Sequence, residues 1–226
     1  MTAVLARAVA VRLVRTPRAW VAPGAWLALA LVLAVASRTS VHGASNLLPG
    51  SVGNLVLPLL AFAAVSAVVG EGGMRRAASG LVALGAEPSA AALSTSGVAV
   101  GLAASLGALA ASLGALLAHG TSDPPLCLDV PLSFVVGALG GAAYAALFCA
   151  GASVMGGALR GILLVADFVL GTEAGPLGAL FPRAHLLALL GGEKAFDLSR
   201  RVSSVALVAL ALVYLALVVR LTRRRV

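Results

Sequence analysis

Charge is what this sequence lacks most: Asp, Glu, Lys and Arg supply 11% of its 226 residues, against about 25% in a soluble domain. Such a chain cannot coat a soluble globule with polar surface. Aromatic residues are scarce too, at 4%, so the stacking platforms that bind single-stranded nucleic acid are missing. The two cysteines, Cys127 in a polar loop and Cys149 in an apolar run, form neither CxxC nor a Cys/His cluster, which excludes zinc and dithiol motifs. There is no HExxH and no nucleophile elbow; Gly151-Ala-Ser153-Val-Met-Gly156 misses the latter spacing by one residue. No pattern calls for a catalytic residue, a cofactor or a metal.

Apolar residues, by contrast, make up 61%, and the mean hydropathy is +1.06. An all-α integral membrane protein is the class that remains. Sixteen Lys and Arg against eight Asp and Glu leave a net charge of +8. Nearly all the cations are Arg at the chain ends and between apolar runs, the arrangement of the positive-inside rule rather than of a nucleic-acid surface.

A charge at the bilayer centre costs roughly 2.5–3.5 kcal/mol on insertion scales, so charge-free gaps mark the spans. They predict crossings at about 20–37, 52–70, 89–117, 131–150 and 202–220 within a single domain, 1–226. A further apolar segment, 160–181, carries Asp167 and Glu173. Arg7, Arg12, Arg15 and Arg18 at one terminus and Arg220, Arg223, Arg224 and Arg225 at the other predict that both termini are cytoplasmic. That requires an even number of crossings, and counting 160–181 gives six. Arg75, Arg76 and Arg160 then fall inside, in loops or turns, and Asp123 and Asp129 outside. Arg183, Lys194, Arg200 and Arg201 fall outside against the rule, partly offset by Glu193 and Asp197. Ala34-Val35-Ala36 resembles a signal cleavage site, but the apolar stretch before it is long and more spans follow.

Residues 1–19 predict an interfacial helix. Leu5, Val9, Leu13 and Trp20 share one face; Arg7, Arg15 and Arg18 oppose it, and Trp20 suits the membrane boundary. The other reading is a basic flank that only sets topology. Gly97, Gly101 and Ser105, like Gly137 and Gly141, recur every four residues and allow close helix approach in lipid, unless they merely reflect composition. His185–Leu190 is apolar but too short to cross, and reads as an outer or re-entrant helix. His42, His119 and His185 fall on predicted outer loops. Asp167 lies about 10 Å along a helix from Arg160; it serves either an ion or substrate path or a structural contact.

The loop after the second span reads Glu71-Gly-Gly-Met-Arg75-Arg76, then Gly80-Leu81, Leu84 and Pro88. Met74, Ala78, Leu81 and Leu84 recur at helical spacing, which predicts a short amphipathic helix offering an apolar ridge to a cytoplasmic protein. This loop resembles the coupling helix of type 2 (ABC-2) ATP-binding cassette exporter permeases. Glu71, Arg75, Arg76, Gly80, Leu81, Leu84 and Pro88 match in order; the usual Thr after Gly80 is missing. The resemblance implies an N-terminal elbow helix, six spans, a second permease chain and a separate cytoplasmic ATPase docked on the loop. The chain itself has no G-x-x-x-x-G-K-S/T phosphate loop. Haem-exporter permeases of cytochrome c maturation have a similar size and span count. A secondary carrier using Asp167 and a membrane enzyme are the remaining classes. The first lacks a visible inverted repeat, and the second lacks clustered acid–base groups.

Overall fold

The computed structural model describes residues 2–155, 157–173, 175–192 and 198–223. Lys194, Glu193, Asp197, Arg224 and Arg225 lie outside the described residues, so their predicted sides are not placed. All regular elements among the described residues are helical. Among the described residues ten α-helices follow one another: α1 (Thr2–Val14), α2 (Val21–Ser37), α3 (Gly43–Leu47), α4 (Leu57–Val69), α5 (Gly73–Ala83), α6 (Pro88–Ala118), α7 (Leu126–Met155), α8 (Gly157–Leu170), α9 (Pro182–Leu190) and α10 (Arg200–Arg223).

Five helical segments among the described residues are long and apolar enough to cross a membrane: Pro17–Ser37, Gly43–Ala83, Pro88–Ala118, Leu126–Met155 and Arg200–Arg223. The second is not uniform. Leu48–Val56 is wound as a π-helix, with the Leu57 N–H donating to the Val52 carbonyl five residues back. Pro58 explains the loosening, because its ring cannot sit against the carbonyl of residue 54 and offers no N–H to it.

The α6–α7 pair forms the centre, and small residues make it. A Cβ on Gly107 would lie 2.5 Å from the Gly137 carbonyl oxygen. One on Gly141 would collide with the Ala103 carbonyl. The backbones therefore touch, as lipid-embedded helices of small residues do. Gly97 and Gly101 have open space where a Cβ would be, and Ser105 is exposed beside them. One part of the predicted small-residue spacing thus builds the core, while the other faces out.

α4 packs against both central helices, and the Gly43–Ala83 segment that contains it is 67% buried over its most apolar stretch, against 17% for Pro17–Ser37, which contains α2, and for α10. α2 and α10 are the outer staves, and their exposed Val and Leu side chains are normal for a lipid-facing surface.

The crossing expected over 160–181 is not a single helix. α8 ends at Leu170, and its 14 residues reach only about 21 Å. Gly175-Pro176 follows, where a helix cannot run on. A short 3-10 turn, Gly178–Leu180, then leads into α9. α9 starts with Pro182 in its first turn and stops at Gly191, whose φ of +85° suits a helix C-terminus. It runs away from the α5 end, from Arg183 beside Asn54 to Gly192 beside Pro49. Arg160, expected in an inner loop or turn, is in neither: α7 reaches Met155 and α8 begins at Gly157, so Arg160 is helical and buried.

α1 lies along the bundle. Val9 and Leu13 are buried and Leu5 and Trp20 half-buried, while Arg7, Arg12, Arg15 and Arg18 are exposed. Arg12 reaches back to the Val68 carbonyl at 3.1 Å, and the Trp20 indole donates to the Leu13 carbonyl at 3.3 Å. At the far end of the chain, Arg223 lies 4.0 Å from Glu87. The N-terminal helix and the end of α10 therefore share the end of the bundle that carries α5.

Candidate functional site

Two groups of residues carry chemistry. The first is α5 and its flanks. Gly70 ends α4 with φ +71°, a conformation that a side chain would strain, and this turns the chain off the α4 axis. At the other end, the Ala86 N–H donates to the Leu81 carbonyl at 3.1 Å and the Gly85 N–H to Val82 at 2.9 Å. That is a Schellman closure on Gly85 at φ +88°, with Ala86 and Leu81 buried together. Glu87 is extended, accepts from the Ser89 hydroxyl, and hands the chain to Pro88 in the first turn of α6. Gly85-Ala86-Glu87-Pro88 is thus a local instruction to stop one helix and start the next.

The predicted ridge is reversed. Met74, Ala78 and Leu81 are buried against the bundle, with Met74 beside the Ser96 hydroxyl. Only Leu84 of that set projects, at 84% exposure. The physical reason is that an apolar face this close to a bundle buries itself first. The outward surface is Arg75, Arg76, Ser79, Gly80, Val82 and Leu84, with Glu71 exposed at its start and Pro88 half-buried at its end. A small groove runs between Arg75, Ala78, Ser79 and Val82 and the α10 residue Thr222.

The second group surrounds Asp167, which is fully buried. Its Oδ2 accepts from Arg183 Nε at 3.0 Å and from the Tyr144 hydroxyl at 3.1 Å. Arg183 Nη1 donates to Asn54 Oδ1 at 2.8 Å, and the Asn54 amide donates to the Pro49 carbonyl at 3.1 Å. The Arg183 guanidinium also lies 4.0 Å from the Phe168 ring centre. The network ties α7, α8 and α9 to the π-wound stretch before α4. Arg183, expected outside, is therefore an internal counter-charge. The clue was available: a lone carboxylate in an apolar segment needs a cation, and Arg183 is the next one downstream. His185, expected on an outer loop, is buried in α9 with Nε2 3.0 Å from the Ala179 carbonyl. Glu173 is exposed in the turn after α8 and takes no part.

Arg160 marks the other end of α8. It donates to the Gly70 carbonyl at 2.9 Å and to the Ser66 hydroxyl at 3.4 Å, and lies 5.8 Å from the Phe62 ring centre. It thereby fastens α8 to the turn that launches α5, a link that no sequence spacing announced. At the opposite end of the bundle, Asp123 gathers the N–H groups of Ala44 at 2.8 Å, Gly120 at 2.7 Å and Ser45 at 3.1 Å, plus the Ser45 hydroxyl. Burial pushes its carboxyl up, but the Ser45 hydroxyl and these N–H groups outweigh that and hold it at about 2.

No three-residue cluster of metal-ligating side chains occurs among the described residues. The chain matches no protein-family model, and no curated protein or solved structure is significantly similar to it.

Proposed function

We propose that this protein is the membrane-spanning permease subunit of an ATP-binding cassette exporter of the type 2 class. It crosses the cell (plasma or inner) membrane six times with both termini cytoplasmic. The observation that carries the reading is α5: an 11-residue helix set between two long apolar helices, anchored by Met74, Ala78 and Leu81, with Arg75, Arg76 and Leu84 turned outward. A rigidly anchored helix with a polar, partly apolar outer face is a handle. A force applied to it moves α4 and α6, which continue from its two ends.

The engine is a separate cytoplasmic ATPase, since the sequence carries no phosphate loop. The permease transmits work and catalyses nothing. α8 and α9 together make the fifth crossing in two pieces, joined at mid-depth by the Asp167–Arg183 pair. Non-helical backbone at that depth is tolerable because it is enclosed by protein. A second copy or a related permease chain completes the transporter. The haem-exporter branch has the same architecture but no observation of its own here. Asp167 is neutralised by Arg183, which weakens its use as a carrier's proton or ion site.

The test is capture of a Walker-motif ATPase encoded beside this chain by tagged, membrane-extracted protein. Arg75→Glu with Arg76→Glu and Leu84→Asp lowers capture at least tenfold, while expression and folding stay normal because all three side chains are exposed. Undiminished capture, or no capture by the unaltered chain, contradicts the reading. Leu81→Asp is a poor probe, because Leu81 is buried and its loss unseats the helix.

A further inference from the structure

Where α1 meets the turn between α4 and α5, the bundle leaves a cavity of about 500 Å³. Its walls are of two kinds. Val9, Leu13, Val68 and Val69 make an apolar floor, and Arg12, Arg76 and Glu71 stand around it. Neither arginine has a carboxylate within 4 Å among the described residues. Arg12 donates one guanidinium nitrogen to the Val68 carbonyl at 3.1 Å, which fixes the side chain over the cavity and leaves its other donors uncommitted. The three charged walls sum to one excess positive charge. Size, a greasy floor and a single surplus cation beside two forked donors suit one chemical group: a phosphodiester monoanion carrying an apolar tail.

We infer that this cavity is a binding site for the headgroup phosphate of an anionic glycerophospholipid, held between Arg12 and Arg76 with the start of its acyl chains on Val9, Leu13 and Val68. The inference deepens the reading above, resting on α1 and α5 lying at the cytoplasmic membrane surface. The site has a consequence for that reading. Arg12 belongs to the N-terminal helix and Arg76 to α5, so one bound lipid bridges the surface helix to the handle. The stiffness of the coupling contact then depends on the composition of the inner leaflet.

The experiment uses the full chain purified in neutral detergent, without any ATPase, so its outcome is independent of ATPase docking. Thermal unfolding is followed with phosphatidylglycerol, with phosphatidylcholine and with inorganic phosphate at equal concentration. Phosphatidylglycerol raises the midpoint by about 4 °C, a shift expected for a saturated site on a chain of this size; the other two do not. Arg12→Gln with Arg76→Gln abolishes the shift. Arg7→Gln with Arg15→Gln removes the same charge from exposed positions of α1 and keeps it. Thr16→Trp, which crowds the cavity rim without changing charge, also abolishes it and guards against a folding artefact of the arginine changes. Equal loss in both arginine doubles would mean diffuse electrostatic attraction and overturns the site. An equal shift from inorganic phosphate, or from phosphatidylcholine, overturns the lipid assignment.

Discussion

Arg160 in α8 and Arg183 in α9 are both almost wholly buried, at 3% and 2% exposure, yet they bond to partners of different kinds. Arg160, near the α5 end, bonds to neutral acceptors, the Gly70 carbonyl and the Ser66 hydroxyl. Arg183, farther from that end, faces the carboxylate of Asp167. In the proposed membrane placement the difference follows from depth. Close to a membrane surface a guanidinium keeps access to polar backbone and headgroups, and can stay charged on dipoles alone. Further in, only an opposite charge offsets its desolvation. The two arginines therefore do different jobs: one fixes the start of α8 to the turn between α4 and α5, the other joins α8 to α9 across the break between them.

Removing one member of the deep pair should give the largest effect. Arg183→Ala or Asp167→Ala leaves a buried charge without its partner and costs about 3–5 kcal/mol. The expected readout is a much lower unfolding midpoint in detergent. The double change Asp167→Leu with Arg183→Leu should recover most of that loss; a double variant as unstable as the singles would contradict the pairing. Arg160→Met should cost less, about 1.5–3 kcal/mol for lost charged hydrogen bonds. It should also weaken ATPase capture, since it frees the Gly70 turn, whereas the deep double change should leave capture intact. Equal effects of both on capture would erase the distinction between them.

The same inside–outside contrast appears in the glycines of α6. Gly107→Val forces the α6–α7 backbones apart and costs about 1–3 kcal/mol of overpacking strain. Gly97→Val with Gly101→Val meets open space and leaves monomer stability within about 1 kcal/mol of the original. Its effect, if a second permease chain seats there, is on oligomeric state by light scattering.

A smaller effect belongs to Asp123. Its carboxyl sits at about 2, below the roughly 3.9 of an unfolded chain. The clasp on Ala44, Ser45 and Gly120 is therefore fully stabilising above about pH 4 and is lost as pH falls through 2. Protection of the Ala44 and Ser45 amides from hydrogen exchange, taken relative to the intrinsic rate at each pH, should fall as the pH is lowered across that window, and Asp123→Asn should flatten the response.

Much of this architecture is legible in the chain. The charge-free gaps find the five long helices, because a charge in lipid is costly enough to punctuate the sequence. Glycine and proline place the ends of α5 and α9. What the gaps miss is pairing across distance. Arg183 reads as an outer-loop charge when every charge is taken to seek water, and its place as the next cation downstream of Asp167 is the only hint of the pair. The break between Leu170 and Pro182 is itself legible in Gly175-Pro176, which stops a helix; what the sequence hides is the Asp167–Arg183 pair that closes it. On α5, periodicity finds the apolar face of Met74, Ala78 and Leu81 but not its direction, which the bundle decides.

The most direct test of the proposed coupling role is a contact map of α5 in the complex with the ATPase. A photo-reactive phenylalanine replacing Leu84 should cross-link to the ATPase, with a yield that changes when ATP is added. The same group replacing Leu128, which is exposed at the opposite end of the bundle, should give none. Cross-linking at residue 128 but not at 84 would place the engine at the wrong end and contradict the account.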